Sequence, residues 1–187
     1  MNRKFAKMLI SSKSVGTIAA LLGKPSDVFC SGLFLSARWF VVSQLSYEGI
    51  QVIVLPDRES AEYCAVDLYN LIEGDCVFFM PDSGKTLEKS NYKASLGVQR
   101  TSAIGKIMEY GGGSLVIVTY PAALEEAVPV PDEIRKAVMR LSVGDEISHD
   151  SLAETLVENG FERVDFVAEP GQFAIRGAVA DIFSYSY

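Results

Sequence analysis

The chain has 187 residues, 49% of them apolar, a formal net charge of −7 at pH 7 and a single histidine. That length and apolar fraction suffice for one full domain and part of a second. The acidic balance argues against a broad phosphate-binding face, and the longest apolar runs, Val52–Leu55 and Leu115–Val118, are too short to span a bilayer.

Lys4 and Lys7 precede only a brief apolar stretch and then Ser11-Ser12-Lys13-Ser14, so no signal peptide is expected. Residues 4–24 read as one or two amphipathic helices, stopped at Gly23-Lys24-Pro25. Val28-Phe29-Cys30 reads as a short strand, and Ser36 to Tyr47 as a helix. Gln51 to Leu55 is a second strand, closed by Pro56-Asp57. The Glu59 to Ile72 helix that follows carries Ala61, Ala65, Leu68 and Ile72 on one stripe. Asp75 to Met80 is a third strand and 81–93 a polar loop. Val98 to Tyr110 is a helix ended by three glycines, Leu115 to Thr119 a fourth strand, and Pro121 to Glu126 a short helical turn. Strands alternating with helices of this length predict an α/β fold, a largely parallel sheet with helices on both faces.

After Pro129 and Pro131 the pattern changes. Ala137, Met139, Leu141 and Val143 alternate as a strand would. Ser151-Leu152-Ala153-Glu154 matches a capping box opening a helix whose stripe is Leu152, Leu156 and Val157, ended at Gly160. Two strands then follow, with Val164, Phe166 and Ala168 on one and Phe173, Ile175, Gly177 and Val179 on the other. Pro170-Gly171 is the expected turn between them. The domain boundary falls near 127–133, giving a first domain of 1–128 and a second of 129–187.

An α/β domain invites a search for a phosphate loop, in which glycines admit the phosphates, lysine neutralises them and a hydroxyl holds magnesium. The loop before the first expected helix is Gly32-Leu33-Phe34-Leu35-Ser36-Ala37-Arg38-Trp39. Ala37 stands in place of a glycine, Arg38 of the lysine and Trp39 of the hydroxyl. A worn loop that only packs its helix is the favoured reading. Ser83-Gly84-Lys85-Thr86 holds the Gly-Lys-Thr triplet without the first glycine and reads as a solvated loop. The Leu115–Thr119 strand leads into Tyr120-Pro121 and offers no acidic residue for magnesium. His149 beside Asp150 fits an exposed helix start better than a catalytic base. Cys30, Cys64 and Cys76 lack metal spacing and predict buried free thiols of a reducing compartment.

The segment Gly160-Phe161-Glu162-Arg163-Val164-Asp165 through Gly171-Gln172-Phe173 to Arg176-Gly177 and Asp181-Ile182-Phe183 has fixed spacing throughout. It resembles the second domain of the module shared by UvrB and the transcription-repair coupling factors. From Gly32 to Leu124 the order of strands and helices is similar to that module's first domain, more loosely. The worn loop and the short loop after Pro81 favour the coupling-factor side. The resemblance implies a degenerate P-loop NTPase-like domain that has lost ATP binding (Gly32, Ser36, Ala37, Arg38, Trp39), followed by a partial α+β UvrB-like domain. It implies a cytoplasmic, non-catalytic N-terminal fragment without a cofactor of its own, whose last strand is an exposed edge. Its second domain would bind the excision-repair protein UvrA through Arg163, Arg176 and Phe183. ATP, magnesium, RNA polymerase and DNA would be handled by other domains of a longer protein. Left open are pairing of Arg176 with Glu169 or Asp181, a core role for Phe183, a helicase-like ATPase using Arg38 or Lys85, and a DNA-binding domain.

Overall fold

A computed structural model describes residues 13–25, 27–45, 48–84 and 91–185. Residues 4–12, Tyr47, Lys85 and Thr86, on which some of the expectations above rest, lie outside these. By contacts the chain divides into two compact units, residues 1–80 with 110–121, and residues 81–109 with 122–187. The stretch at 127–133 lies inside the second.

The first unit is α/β. Its helices are α1 (Lys13–Leu22), α2 (Ala37–Gln44) and α3 (Arg58–Leu71); its strands are β1 (Gly49–Val54), β2 (Val77–Phe79) and β3 (Ser114–Thr119). The strands form a parallel sheet in the order β1-β3-β2. The central strand is the core: Leu115 to Thr119 are all buried, as a strand with neighbours on both edges should be. Thr119 meets the cost of burying a hydroxyl by donating Oγ1 to the Met80 carbonyl at 2.8 Å. α3 packs on β2, β3 and α2, turning Ala61, Cys64 and Leu68 inward at helical spacing. Asp57 caps it, accepting from the Ser60 amide at 2.8 Å. That amide, and then the Ser60 hydroxyl, hold the Asp57 carboxyl below its usual range.

Val28-Phe29-Cys30 is not a strand. Val28, Phe29 and Cys30 line an apolar cleft with Val15, Ile18 and Phe40, and Phe29 within it stays 98% exposed. Three apolar residues in a row satisfy a cleft as readily as a sheet. In consequence Cys30 is exposed and Cys76 half-buried; of the three thiols expected inside, Cys64 alone is buried.

The second unit holds α4 (Asn91–Met108), α5 (Pro121–Glu125, whose first residue belongs to the other unit), α6 (Pro131–Ala137), α7 (His149–Glu158), and strands β4 (Glu162–Arg163), β5 (Gln172–Arg176) and β6 (Val179–Phe183). α4 starts seven residues before the expected Val98, within the polar loop. Residues 138–143 are not a strand. Pro131 at the first helical position, Asp132 and Glu133 in the first turn and Arg135 and Lys136 in the last build α6 instead. α7 is capped three residues earlier than the capping box predicts: Ser148 Oγ accepts from the Ser151 amide at 3.1 Å.

The sheet order is β4-β5-β6, with β4 parallel to β5 and β5 antiparallel to β6. Pro170-Gly171 therefore does not fold a hairpin. The hairpin turn is Gly177-Ala178, closed by Arg176 opposite Val179, and Gly177 at φ +59° supplies the conformation a two-residue loop needs. Phe173, Ile175 and Ala180 face α7, where Leu152, Leu156 and Phe173 form the core with Met139, Ala153 and Phe161 around them. Full burial of Phe173 contributes roughly 1.5–3 kcal/mol.

Candidate protein-binding site

The Gly160-Phe161 pair terminates α7. Gly160, at φ +82°, donates its amide to the Val157 carbonyl and Phe161 donates to the Leu156 carbonyl, both at 2.9 Å. This is the paired-bond helix ending that only a left-handed residue completes, and it returns Phe161 onto the core beside Leu156. From there Glu162 donates to the Gly171 carbonyl at 2.8 Å and Val164 to that of Phe173 at 2.9 Å, fixing β4 against β5. The loop between them is held by one side chain, since Gln172 Oε1 accepts from the Ala168 and Glu169 amides at 3.0 Å each.

Arg163 and Arg176 are brought near one another although the Pro170-Gly171 turn expected between their strands folds no hairpin. Arg163 is in register with Phe173, whereas Arg176 shares its face with Val179, Asp181 and Phe183. Both line one open concavity of about 490 Å³ with Val164, Asp165, Phe166 and Ile175. Arg176 donates to the Asp181 carboxylate, and its guanidinium lies 5.4 Å from the centroid of the exposed Phe166 ring. The carboxylate partner is one of the two intramolecular candidates. Arg163 is exposed and has no ion-pair partner among the described residues. Phe183 is half-buried, and its carbonyl accepts from the Gly171 amide at 2.8 Å.

Of the five loop residues of the first unit, Gly32, Ser36, Ala37 and Arg38 are exposed and Trp39 is buried. Gly32 is at φ +80°, Ser36 donates Oγ to Asp67 of α3 at 2.7 Å, and Ala37 opens α2. Arg38 lies 4.5 Å over the Trp39 ring, and Trp39 is buried. Cys64 lies buried on α3, and desolvation pushes its thiol up to about 12, against a smaller opposing pull from Arg38. Among the described residues no group of three or more His, Cys, Asp or Glu is placed to hold a metal, and no helix is long and apolar enough to cross a membrane.

One organising residue escapes sequence reading. Arg100, on the buried stripe of α4 with Leu96 and Ala103, donates to the carbonyls of Pro81 at 2.8 Å, Ala123 at 3.1 Å and Glu126 at 3.1 Å. Its Nε stands 3.7 Å from the Glu126 carboxylate, which also accepts from the Ser83 amide at 2.7 Å. The signal available was a single arginine at an apolar-stripe position.

A small mixed sheet on a helix, bearing exposed arginines and an aromatic ring around a concavity, is the kind of surface on which another protein docks. Residues 139–187 match the UvrB interaction domain family. Taken more widely, the chain is similar to transcription-repair-coupling factors: 32% identical to that of Bacillus subtilis over 82% of this chain and 13% of the relative. It is likewise 32% identical to that of Mycobacterium tuberculosis over 80% of this chain and 12% of the relative. It is also 32% identical to UvrABC system protein B of Streptococcus uberis, over 58% of this chain and 16% of that protein. The chain thus spans about an eighth of the coupling factors' length, and it resembles their UvrB-like module.

Proposed function

We propose that this chain is a non-catalytic recruitment module of a transcription-repair coupling factor, binding UvrA so that stalled transcription is passed to excision repair. The observation that carries the reading is the concavity of Arg163, Phe166 and Arg176, which lies wholly within the residues matching the UvrB interaction domain. An exposed guanidinium and an exposed ring combine directional charge with area that is inexpensive to order, the usual make-up of an interface anchor. RNA polymerase, DNA, ATP and magnesium belong, on this reading, to other parts of the longer protein.

The first unit serves as a degenerate P-loop-like scaffold. Support comes from Ser36, Arg38 and Trp39, whose side chains are committed to Asp67, the indole and the interior rather than to an open phosphate cradle. Calorimetric titration of the chain into UvrA tests the reading, with saturable binding as the expected result. Absence of binding at micromolar concentrations of both proteins contradicts it.

A further inference from the structure

β1 is an edge strand without the guards that edges usually carry. Gly49 donates its amide to the Gly113 carbonyl at 2.8 Å and Leu55 to that of Thr119 at 2.9 Å. The odd-numbered residues of the strand therefore turn their amides and carbonyls to β3. Ile50, Val52 and Val54 turn theirs to the open edge, and no described residue bonds them. The side chains of the same three residues share one face and are 42%, 56% and 50% exposed, so the edge is apolar as well as unpaired. Sheet edges are commonly blunted by brevity, charge or proline. β2 at the opposite edge is three residues long, whereas β1 runs for six with neither a charge nor a proline.

The strand that fits this edge follows from the pattern of β1 itself. Its outward positions 50, 52 and 54 are all β-branched and apolar, and the order is nearly the same read in either direction about Val52. A two-fold axis at Val52 sets that residue opposite its copy and Ile50 opposite Val54 at both ends. Each is a bonded pair, in which the two residues exchange both amide–carbonyl bonds. All three outward amides of each copy then find an acceptor. The same operation lays the exposed side chains of both copies on one face as β-branched cross-strand pairs. Glu48 falls opposite Pro56, so no like charges meet there. The edge is its own complement, as an interface between two identical chains requires.

We propose that β1 is a self-association edge. Two copies of this chain pair antiparallel through Ile50, Val52 and Val54 and join their sheets into one. The edge shares no residue with the Arg163–Arg176 concavity, and the proposal stands independently of UvrA binding.

The test is sedimentation equilibrium of the full chain from about 1 µM to about 1 mM, the range suited to a small interface, with amide hydrogen exchange across the same range. The mass should rise from one chain toward two, and the Ile50, Val52 and Val54 amides should gain protection together as it does. Val52→Pro removes an outward amide that bonds nothing within the chain, and Val52→Lys places a charge on the exposed face. Each should leave the circular-dichroism spectrum intact and weaken self-association by roughly tenfold or more. Val157→Lys, at a similarly exposed valine of α7, should hold it within roughly twofold. A chain that stays single at about 1 mM, a dimer whose three amides remain unprotected, or a dimer indifferent to Val52→Lys would overturn the proposal. Full protection of the three amides already at about 1 µM would overturn it too, since the edge is then covered from within the chain.

Discussion

The phenol end of the Tyr185 ring occupies the space that a Cβ on Gly171 would need. The same ring meets Phe161 at a steep angle, with ring centroids 5.6 Å apart. The glycine after Pro170 therefore serves less to turn the chain than to let an aromatic ring close on its backbone. Gly171→Ala would combine that collision with the strain of a side chain at φ +84°. It should cost about 1–3 kcal/mol in urea unfolding. Adding Tyr185→Ala should recover the part due to collision and leave the backbone strain.

Arg100 should be the most sensitive charged position in the second unit. Arg100→Met removes the donor shared by the Pro81, Ala123 and Glu126 carbonyls and the counter-charge beside the Glu126 carboxylate, which keeps its bonds from Ser83, and a loss of about 2–4 kcal/mol is predicted. Arg100→Lys keeps the charge but lacks the planar fork that reaches acceptors in several directions, so it should recover less than half of that loss. Denaturant midpoints at constant slope report both.

The regular elements of the first unit were legible because burial and period agree there: β3 is an unbroken apolar run, and Ala61 and Leu68 of the expected α3 stripe are buried, with Cys64 buried in place of the half-buried Ala65 and Ile72. Where they disagree the reading failed. Val28–Cys30 is apolar without alternation, and a cleft claimed it. Met139, Leu141 and Val143 alternate, yet Pro131 and the charge order behind it build a helix that ends the segment. Pro170-Gly171 outweighs Gly177-Ala178 as a turn signal, but Gly171 is tied to Phe183 and Tyr185, and the chain reverses later. Of the concavity, Arg163 and Arg176 were legible as candidates that the resemblance implies. Their meeting around one concavity was not, because β4 runs parallel to β5 and parity alone sets the two residues on opposite faces.

Thiol chemistry separates Cys30 from Cys64. With the Cys64 thiol raised from an ordinary 9.0 to about 12 and buried, a disulfide reagent at neutral pH should modify exposed Cys30 first and leave Cys64 intact until the chain unfolds. Below about pH 9 the folded and unfolded chains both keep the Cys64 proton. Between 9.0 and about 12 the unfolded chain releases it and the folded chain does not, so this thiol's contribution to stability declines as pH rises through that window. Cys64→Ser should flatten that part of the pH profile.

The proposed loss of nucleotide binding predicts a flat melting temperature on addition of ATP and magnesium. A ligand at a hundred times its dissociation constant would add about 2.7 kcal/mol, well within reach of thermal scanning. A saturable upward shift would return Arg38 and Lys85 to consideration as phosphate ligands.

The central claim, that UvrA docks at the concavity of Arg163 and Arg176, is tested most directly by calorimetry of the Arg163→Glu, Arg176→Glu double variant against UvrA. Asp181→Asn serves as the control that releases Arg176 from its internal partner. Loss of a charge-assisted interface contact typically costs about 2–5 kcal/mol. The double variant, folded by circular dichroism, should therefore bind UvrA roughly tenfold more weakly or worse, while Asp181→Asn should bind at least as well as wild type. A folded double variant that binds as wild type does, or a matching loss in Asp181→Asn alone, would contradict the claim.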